Sequence, residues 1–327
     1  MSAAPWRVAA VALLLSACGD DGGALAPPAP PPQALCLDFS CGELTPLLEI
    51  PDAENLLFTD SGRLFVSGGE NVYEIHRGEG GALQAEPLSA TPCNFTGLAI
   101  RADTLYAGCF DGQLYAAPLS AVTTLAAITA LGIAAPNGMA VGPDDALYIV
   151  NGPLATTALP DPRILRVAFA ETDPLRISAI DTWLDQGLLT PNGLQAHDGA
   201  FYLTDNSLPE VAVVRRIPWT AEGPGTVTTV AQFLGVPDDL SLMPTDEGVF
   251  LLVPDFALGG LRLFAPDGTL LGALPPLSLR FPSQARRGQP PLFSSDDILI
   301  TEKGVLGDTV SPIGNRLTVL RPRPAED

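Results

Sequence analysis

Residue types that build common functional sites are scarce in this sequence. It contains a single lysine, Lys303, and two histidines, His76 and His197, so nothing supports a zinc site built from several histidines. Basic residues number 17 against 37 acidic ones, and the formal net charge is −20 at pH 7. This excess of negative charge argues against nucleic-acid phosphates and anionic membrane surfaces as partners. It is compatible with a cation, a neutral small molecule or a protein partner.

Long amphipathic helices are also lacking, whereas turn-forming residues are abundant. The 327 residues include 32 glycines and 33 prolines without a collagen-like period. Hydrophobic residues make up 46% of the chain, which is enough for a sizeable core. The composition therefore predicts many short strands joined by turns.

The N-terminal segment has the pattern of an export signal. Arg7 precedes an apolar stretch over residues 8–17 that is too short to span a bilayer. The sequence LSAC at residues 15–18 resembles the lipobox of bacterial lipoproteins, which implies cleavage before Cys18 and lipidation of that cysteine. The alternative is an ordinary secretory signal that happens to contain a cysteine at this position.

These features divide the chain into three expected parts. Residues 1–17 are predicted to be a lipoprotein signal peptide, residues 18–33 a Gly/Pro-rich tether and residues 34–327 the folded domain. The resemblance to lipoproteins implies export and a lipid anchor in a membrane, with the folded domain in the periplasm or at the cell surface.

The four remaining cysteines fit an oxidising compartment. Cys36 and Cys41 lie close together before the repeated region, and Cys93 and Cys109 flank one strand–turn–strand unit. Four cysteines allow three pairings, of which we predict the local one, Cys36 with Cys41 and Cys93 with Cys109. Neither pair has CxxC spacing, which favours a structural over a redox role.

Internal repetition indicates the fold. Six segments share a small or polar pair, an apolar stretch, a Gly/Asp turn and a strand containing LY, LF or FY. They begin at Glu54, Thr96, Asn137, Asn192, Asp238 and Ser283, which are 42, 41, 55, 46 and 45 residues apart. This spacing is typical of the four-stranded blades of a β-propeller. The longer third interval leaves residues 151–162 as an extended loop over one face.

The sequence therefore predicts an all-β fold, a six-bladed β-propeller. The last unit has no room for a fourth strand before residue 327, while ELTPLLEI at residues 43–50 has strand character. We expect this N-terminal strand to close the last blade, so that no sheet edge stays free.

The first residue of each unit is a candidate ligand of a cation. In a propeller the first strand of each blade lines the central channel, so these six residues should converge at one mouth. They supply two carboxylates, two amides and two hydroxyls, the hard oxygen donors that calcium or a similar divalent cation prefers. The alternative is that the Asn-Gly and Asp-Asp pairs only form turns.

The same segments resemble a known group of six-bladed calcium-dependent propellers, the gluconolactonase/regucalcin and paraoxonase/strictosidine-synthase-like proteins. PDAENLLFTDSGRLFVSG is similar to the first blade of the paraoxonases, although Asn55 replaces an acidic residue there. APNGMAVGPDDALYIVN, TPNGLQAHDGAFYLTDN and VPDDLSLMPTDEGVFLLVPD are similar to the third, fourth and fifth blades. The resemblance implies a divalent metal, calcium by preference, held by Glu54, Asn137, Asn192 and Asp238.

The resemblance also implies a hydrolase of lactones or esters, in which the metal polarises a carbonyl and stabilises the oxyanion. Asp238 would then be the catalytic base, and the substrate a small neutral lactone or ester. The paraoxonase histidine dyad is missing, because Thr96 stands where a histidine would, and His76 and His197 are expected at the surface. Lys303 is either a proton donor or a solvated side chain.

Two other functional classes stay open. In the first, the cation only joins the blades of a non-catalytic propeller that binds a protein partner. In the second, a ligand-binding propeller has no metal, which would leave Glu54 and Asp238 uncompensated near one another.

Overall fold

The computed structural model describes residues 29–120, 124–153, 158–305 and 308–323. These residues form 25 β-strands and one short 3₁₀-helix, Pro32–Ala34, and none of them belongs to an α-helix. No helix in the described ranges has the length and apolar character needed to cross a bilayer. The expected signal peptide, Cys18 and most of the expected tether lie outside the described residues.

The strands form six antiparallel sheets arranged as the blades of a propeller. Blade one consists of β2 (Leu56–Phe58), β3 (Leu64–Ser67), β4 (Val72–Arg77) and β5 (Leu83–Pro87). Blade two consists of β6 (Phe95–Arg101), β7 (Thr104–Cys109), β8 (Gln113–Pro118) and β9 (Ala126–Ala130). Blade three consists of β10 (Pro136–Val141), β11 (Leu147–Asn151), β12 (Arg163–Ala170) and β13 (Asp173–Leu184).

The remaining blades follow the same order. Blade four consists of β14 (Leu194–His197), β15 (Ala200–Leu208), β16 (Val211–Thr220) and β18 (Thr228–Leu234), with β17 (Gly223–Pro224) paired to the end of β16. Blade five consists of β19 (Ser241–Thr245), β20 (Gly248–Asp255), β21 (Gly260–Phe264) and β22 (Leu270–Leu274). Blade six consists of β23 (Pro282–Arg287), β24 (Ile298–Glu302), β25 (Arg316–Pro322) and β1 (Gly42–Glu49).

The N-terminal strand closes the ring. β1 pairs antiparallel with β25, with Leu44 opposite Leu320, and so supplies the fourth strand of the last blade. The prediction of an all-β, six-bladed propeller closed by its N-terminal strand is confirmed. Closure of this kind leaves the last sheet without an unpaired edge at β25.

The core lies between the blades rather than inside any one of them. In the described part of the chain, each of six clusters of buried apolar side chains joins two neighbouring sheets. Between blades three and four, for example, Tyr148 packs on Phe201 with ring centroids 4.4 Å apart. The second strand of each sheet lies between two such clusters, which explains why LFVS and LYIVN are buried on both faces.

Two disulfides support this arrangement. Cys36 pairs with Cys41 ahead of β1, and Cys93, in the loop before β6, pairs with Cys109 at the end of β7. Both pairings are the local ones expected from the sequence.

The first strands of the blades contact one another around the channel. Glycine at two positions permits this approach: a Cβ on Gly138 would overlap the backbone of Asn192, and one on Gly193 would overlap Asp239 of the next blade. The Asn-Gly pairs are therefore sites of close contact between inner strands. The turn interpretation of these two pairs is wrong, because Asn137 and Gly138 belong to β10, and Asn192 and Gly193 lead directly into β14 without a turn.

Candidate functional site

A cavity of about 270 Å³ opens at the end of the channel where the first strands begin. Its polar residues include all four of the metal ligands expected from the sequence, Glu54, Asn137, Asn192 and Asp238. Further polar groups come from Thr190, Asn206 and Lys303. The remaining walls are apolar and consist of Phe110, Pro153, Pro209, Val236, Pro237 and Phe256.

The repeated offset therefore brings four of the six candidates to one place. The other two, Thr96 and Ser283, are buried but do not contribute to the described lining. The Thr96 hydroxyl donates instead to the carbonyl of Pro136 in the next blade, at 2.5 Å. Of the loop over residues 151–162, Pro153 reaches the cavity, and residues 154–157 lie outside the described ranges.

Three oxygens on residues that line this cavity have no hydrogen-bond partner among the described residues. They are the buried Oδ1 atoms of Asn137, Asn192 and Asp238. A buried acceptor left without a partner destabilises a fold by about 1–3 kcal/mol. Three such acceptors on three neighbouring blades form a donor set that suits a hard cation, so the residues present fit the metal that the resemblance implies.

Two carboxyl groups in the cavity are energetically unfavourable as anions. Burial raises the pKa of Asp238 well above its ordinary value, and the negative charge of Glu54 raises it further. Burial likewise raises the pKa of Glu54, against the opposing effect of Lys303. Positive charge bound beside both groups would offset this penalty.

The position of Lys303 differs from one of the two expectations. A solvated side chain was one alternative, but Lys303 is only 4% exposed and lines the cavity. Its Nζ contacts Glu54 Oε2 and lies 3.3 Å from Asp52 Oδ2. Burial alone would lower the pKa of Lys303, but the charges of Glu54 and Asp52 outweigh this effect and raise the pKa above its ordinary value. Lys303 is therefore an ammonium ion inside the site.

Hydroxyl groups of neighbouring blades fix the backbone of the two acidic residues. Thr301 on β24 donates to the carbonyl oxygen of Glu54, and Thr204 on β15 donates to the carbonyl oxygen of Asp238. Thr204 also accepts from the amide of Gly193 at 2.8 Å. Because each hydroxyl joins two blades, the spacing of the two acidic residues depends on the ring as a whole.

A second polar layer lies below the cavity. Asp239 accepts hydrogen bonds from the side chains of Asn55 and Gln284 and, at 2.6 Å, from the amide of Leu240. Burial raises the pKa of Asp239 to about 7. These hydrogen bonds satisfy the carboxylate of Asp239, the residue after Asp238. The donors belong to residues outside the described lining of the cavity.

A second repeated position lies at or near the end of the second strand of a blade, and only its lysine was singled out from the sequence. Phe110, Phe256 and Lys303 directly follow such a strand, Asn206 lies two residues before the end of β15, and all four line the cavity. The signal was present in the sequence as GCF, TDN, PDF and TEK. A comparison of the repeated units at the end of the second strand predicts these four residues from the sequence.

The histidines lie elsewhere. His76 is on β4, the third strand of blade one, and His197 ends β14, five residues beyond Asn192. Neither contributes to the described lining of the cavity. The one other group of clustered metal-type donors in the described ranges is Cys93, Cys109 and Asp111, but both sulfurs belong to a disulfide and are not free to bind an ion.

No protein-family model and no curated protein matches the sequence. Solved structures do match its fold. A gluconolactonase from Xanthomonas campestris is 18% identical with a TM-score of 0.63, and the match covers 86% of this chain and 90% of that one. A luciferin-regenerating enzyme is 13% identical with a TM-score of 0.64, over 86% and 95% of the two chains. The propeller is the fold of these proteins.

A third solved structure shares the architecture as well. A chain of a nidogen/laminin complex is 17% identical with a TM-score of 0.55, over 73% of this chain and 85% of that one. Similarity at these levels of identity reports the fold and not the activity, so the function has to be argued from the cavity.

Proposed function

We propose that this protein is a hydrolase of small neutral lactones or esters that depends on a divalent cation, calcium by preference. The observation that carries the proposal is the set of three buried Oδ1 atoms without partners, on Asn137, Asn192 and Asp238, around one cavity. Glu54 adds a second carboxylate to the same lining. Together they provide two charged and two neutral oxygen ligands.

The arrangement supports acyl hydrolysis. A divalent cation held by these four residues supplies Lewis-acid polarisation of a substrate carbonyl. Asp238, a carboxylate in the lining of the same cavity, takes the proton of the attacking water. The apolar walls, among them Phe110 and Phe256, bind an uncharged substrate and exclude bulk water.

A second candidate is a propeller in which the cation only has a structural role. Two observations favour it: the ammonium of Lys303 already contacts Glu54, and the architecture also occurs in a chain of the nidogen/laminin complex. A protein partner would then use the propeller surface. The two candidates differ in turnover, since only the first requires hydrolysis in the cavity.

Thermal melting with and without calcium tests the cation site. At a calcium concentration of one hundred times Kd, the native state gains about 2.7 kcal/mol, so the Tm should rise relative to that measured with a chelator. Glu54→Ala and Asp238→Asn should lose this shift. An unchanged shift in both variants would exclude the assigned ligands, and a shift without hydrolysis of any lactone or aryl ester would favour the structural role.

We further propose that the protein is exported and anchored to a membrane through a lipid on Cys18, which supports a periplasmic or cell-surface location. The proposal depends on the LSAC sequence at residues 15–18 and the Gly/Pro-rich segment after it. Cys18→Ser should move the protein from the membrane fraction to the soluble exported fraction. Retention of the variant in membranes would rule out this anchor.

A further inference from the structure

Lys303 occupies an unusual position for the single lysine of the chain. It follows β24, where its amide donates to the carbonyl of Phe281 at 3.0 Å, and its side chain enters the cavity. The ammonium contacts one oxygen of Glu54 and lies 3.3 Å from one oxygen of Asp52. The group therefore contacts the same carboxylate that we assign to the cation.

Asp52 is held in place for this contact. Its backbone has a φ of 51°, in the left-handed region that non-glycine residues rarely adopt, and its amide donates to Asn315 Oδ1 at 2.6 Å. Its second carboxylate oxygen, Oδ1, is buried without a partner among the described residues. The hydrogen bond to Asn315 holds the turn at Asp52, and with it the carboxylate that lies beside the ammonium of Lys303.

The charges in the cavity do not balance without a further cation. When ionised, Glu54 and Asp238 in the cavity and Asp52 beside Lys303 contribute three negative charges, and Lys303 contributes one positive charge, all at buried side chains. Two negative charges are left, which one divalent cation neutralises. Without Lys303 the same dication would meet three negative charges and would bind more tightly.

We propose that Lys303 is a built-in counter-ion of the cation site, which holds Glu54 in position when the site is empty and limits the affinity for the bound dication. This inference rests on the proposed cation site. It predicts a site whose ion exchanges with the medium, in contrast to one that is permanently filled. The lysine acts through Glu54 and is thus a positioning residue.

Calcium titration of the full chain in detergent, by calorimetry, tests the proposal with Lys303→Met and Lys303→Gln. Both variants remove the charge, and the glutamine keeps a donor for Glu54. We expect both to bind calcium at least about tenfold more tightly than the wild type, because one repelling charge is gone. In chelator, Lys303→Met should melt at a lower temperature than the wild type, since Glu54 loses its partner.

The matched control is Arg262→Met. Arg262 pairs at 2.8 Å with the fully buried Asp255, which does not contribute to the described lining of the cavity. This change also removes the positive charge that pairs with a buried carboxylate, but it should leave the calcium affinity within about twofold of that of the wild type. An equal gain in affinity in the control would overturn the counter-ion role, because the effect would then be one of net charge.

The outcomes separate this inference from the proposed function. Wild-type binding with equal or weaker binding by both lysine variants overturns the counter-ion role and leaves the cation site standing. Binding by the variants alone supports the counter-ion role and overturns cation dependence of the wild type. No binding by any of the proteins overturns both.

Discussion

Two groups of buried carboxylates in this propeller have different partners. The first group lies at or near the ends of the second strands of blades four, five and six and consists of Asp205, Asp255 and Glu302. The second group, Glu54 and Asp238, lies at the starts of the first strands and lines the cavity. All five residues are almost inaccessible to solvent.

Protein groups satisfy the carboxylates of the first group. Asp255 pairs with Arg262 at 2.8 Å and accepts from the amides of Val236 and Leu258. Asp205 and Glu302 follow the same scheme, with an arginine from the third strand of the blade and backbone amides from the preceding loop. Through these hydrogen bonds and ion pairs the three carboxylates connect a strand to a loop, so their role is structural.

The comparison shows that burial alone does not identify a functional acid. Asp238 is as buried as Asp255, yet its Oδ1 has no partner in the described part of the chain, and its neighbours are two amides with the same deficit. A carboxylate that an arginine and backbone amides already hold has little left to offer a ligand. Asp238 Oδ1 has no such partner in the described part of the chain, and Glu54 pairs with the ammonium of Lys303 and not with an arginine, so these two are the better candidates for a site.

The largest effect that would test this distinction is expected for Asp255→Asn. The change leaves Arg262 without its ion-pair partner and weakens the acceptor for two amides, so the free energy of unfolding should fall by about 3 kcal/mol. Denaturant unfolding in chelator measures it. The calcium-induced rise in Tm should persist, because Asp255 does not contribute to the described lining of the cavity.

Asp238→Asn is the matched control at the other kind of carboxylate. The change removes a negative charge that burial disfavours. The free energy of unfolding in chelator should therefore fall by less than about 1 kcal/mol, or rise. The calcium-induced rise in Tm should disappear. If Asp238→Asn destabilised the protein as much as Asp255→Asn, the two groups would not differ in the way proposed.

The sequence predicted the ring and six candidate ligands through one repeated offset, and the resemblance to calcium-dependent propellers selected four of the six. A propeller places the start of every first strand at the same mouth, so a residue type that recurs at that position is also a neighbour in space. Glu54, Asn137, Asn192 and Asp238 were found in this way, and the structure brings them to one cavity. The strand β1 followed from a count of strands in the last unit.

The environment of Lys303 could not be predicted in the same way. Its contacts with Glu54 and Asp52 join residues about 250 positions apart, as the sequence separation of 249 between Lys303 and Glu54 shows. Only closure of the ring between blades six and one makes them neighbours. The repeat places Lys303 at a mouth position, but its two carboxylate partners come from the segment before β2 on the other side of that closure.

The smallest effect is expected for His197→Ala. This variant tests the comparison by the rate of hydrolysis and not by stability. Histidine is the commonest general base in hydrolases, but His197 ends β14 opposite Ala200 and does not contribute to the described lining of the cavity. Initial rates of lactone or aryl-ester hydrolysis should therefore stay within about twofold of the wild type, a change too small to involve a group at the reacting atoms. Asp238→Asn, measured beside it, should reduce the rate by about two orders of magnitude or more. Equal losses in the two variants would mean that the unpaired carboxylate is not the base, and the chemistry would have to be assigned to another part of the propeller.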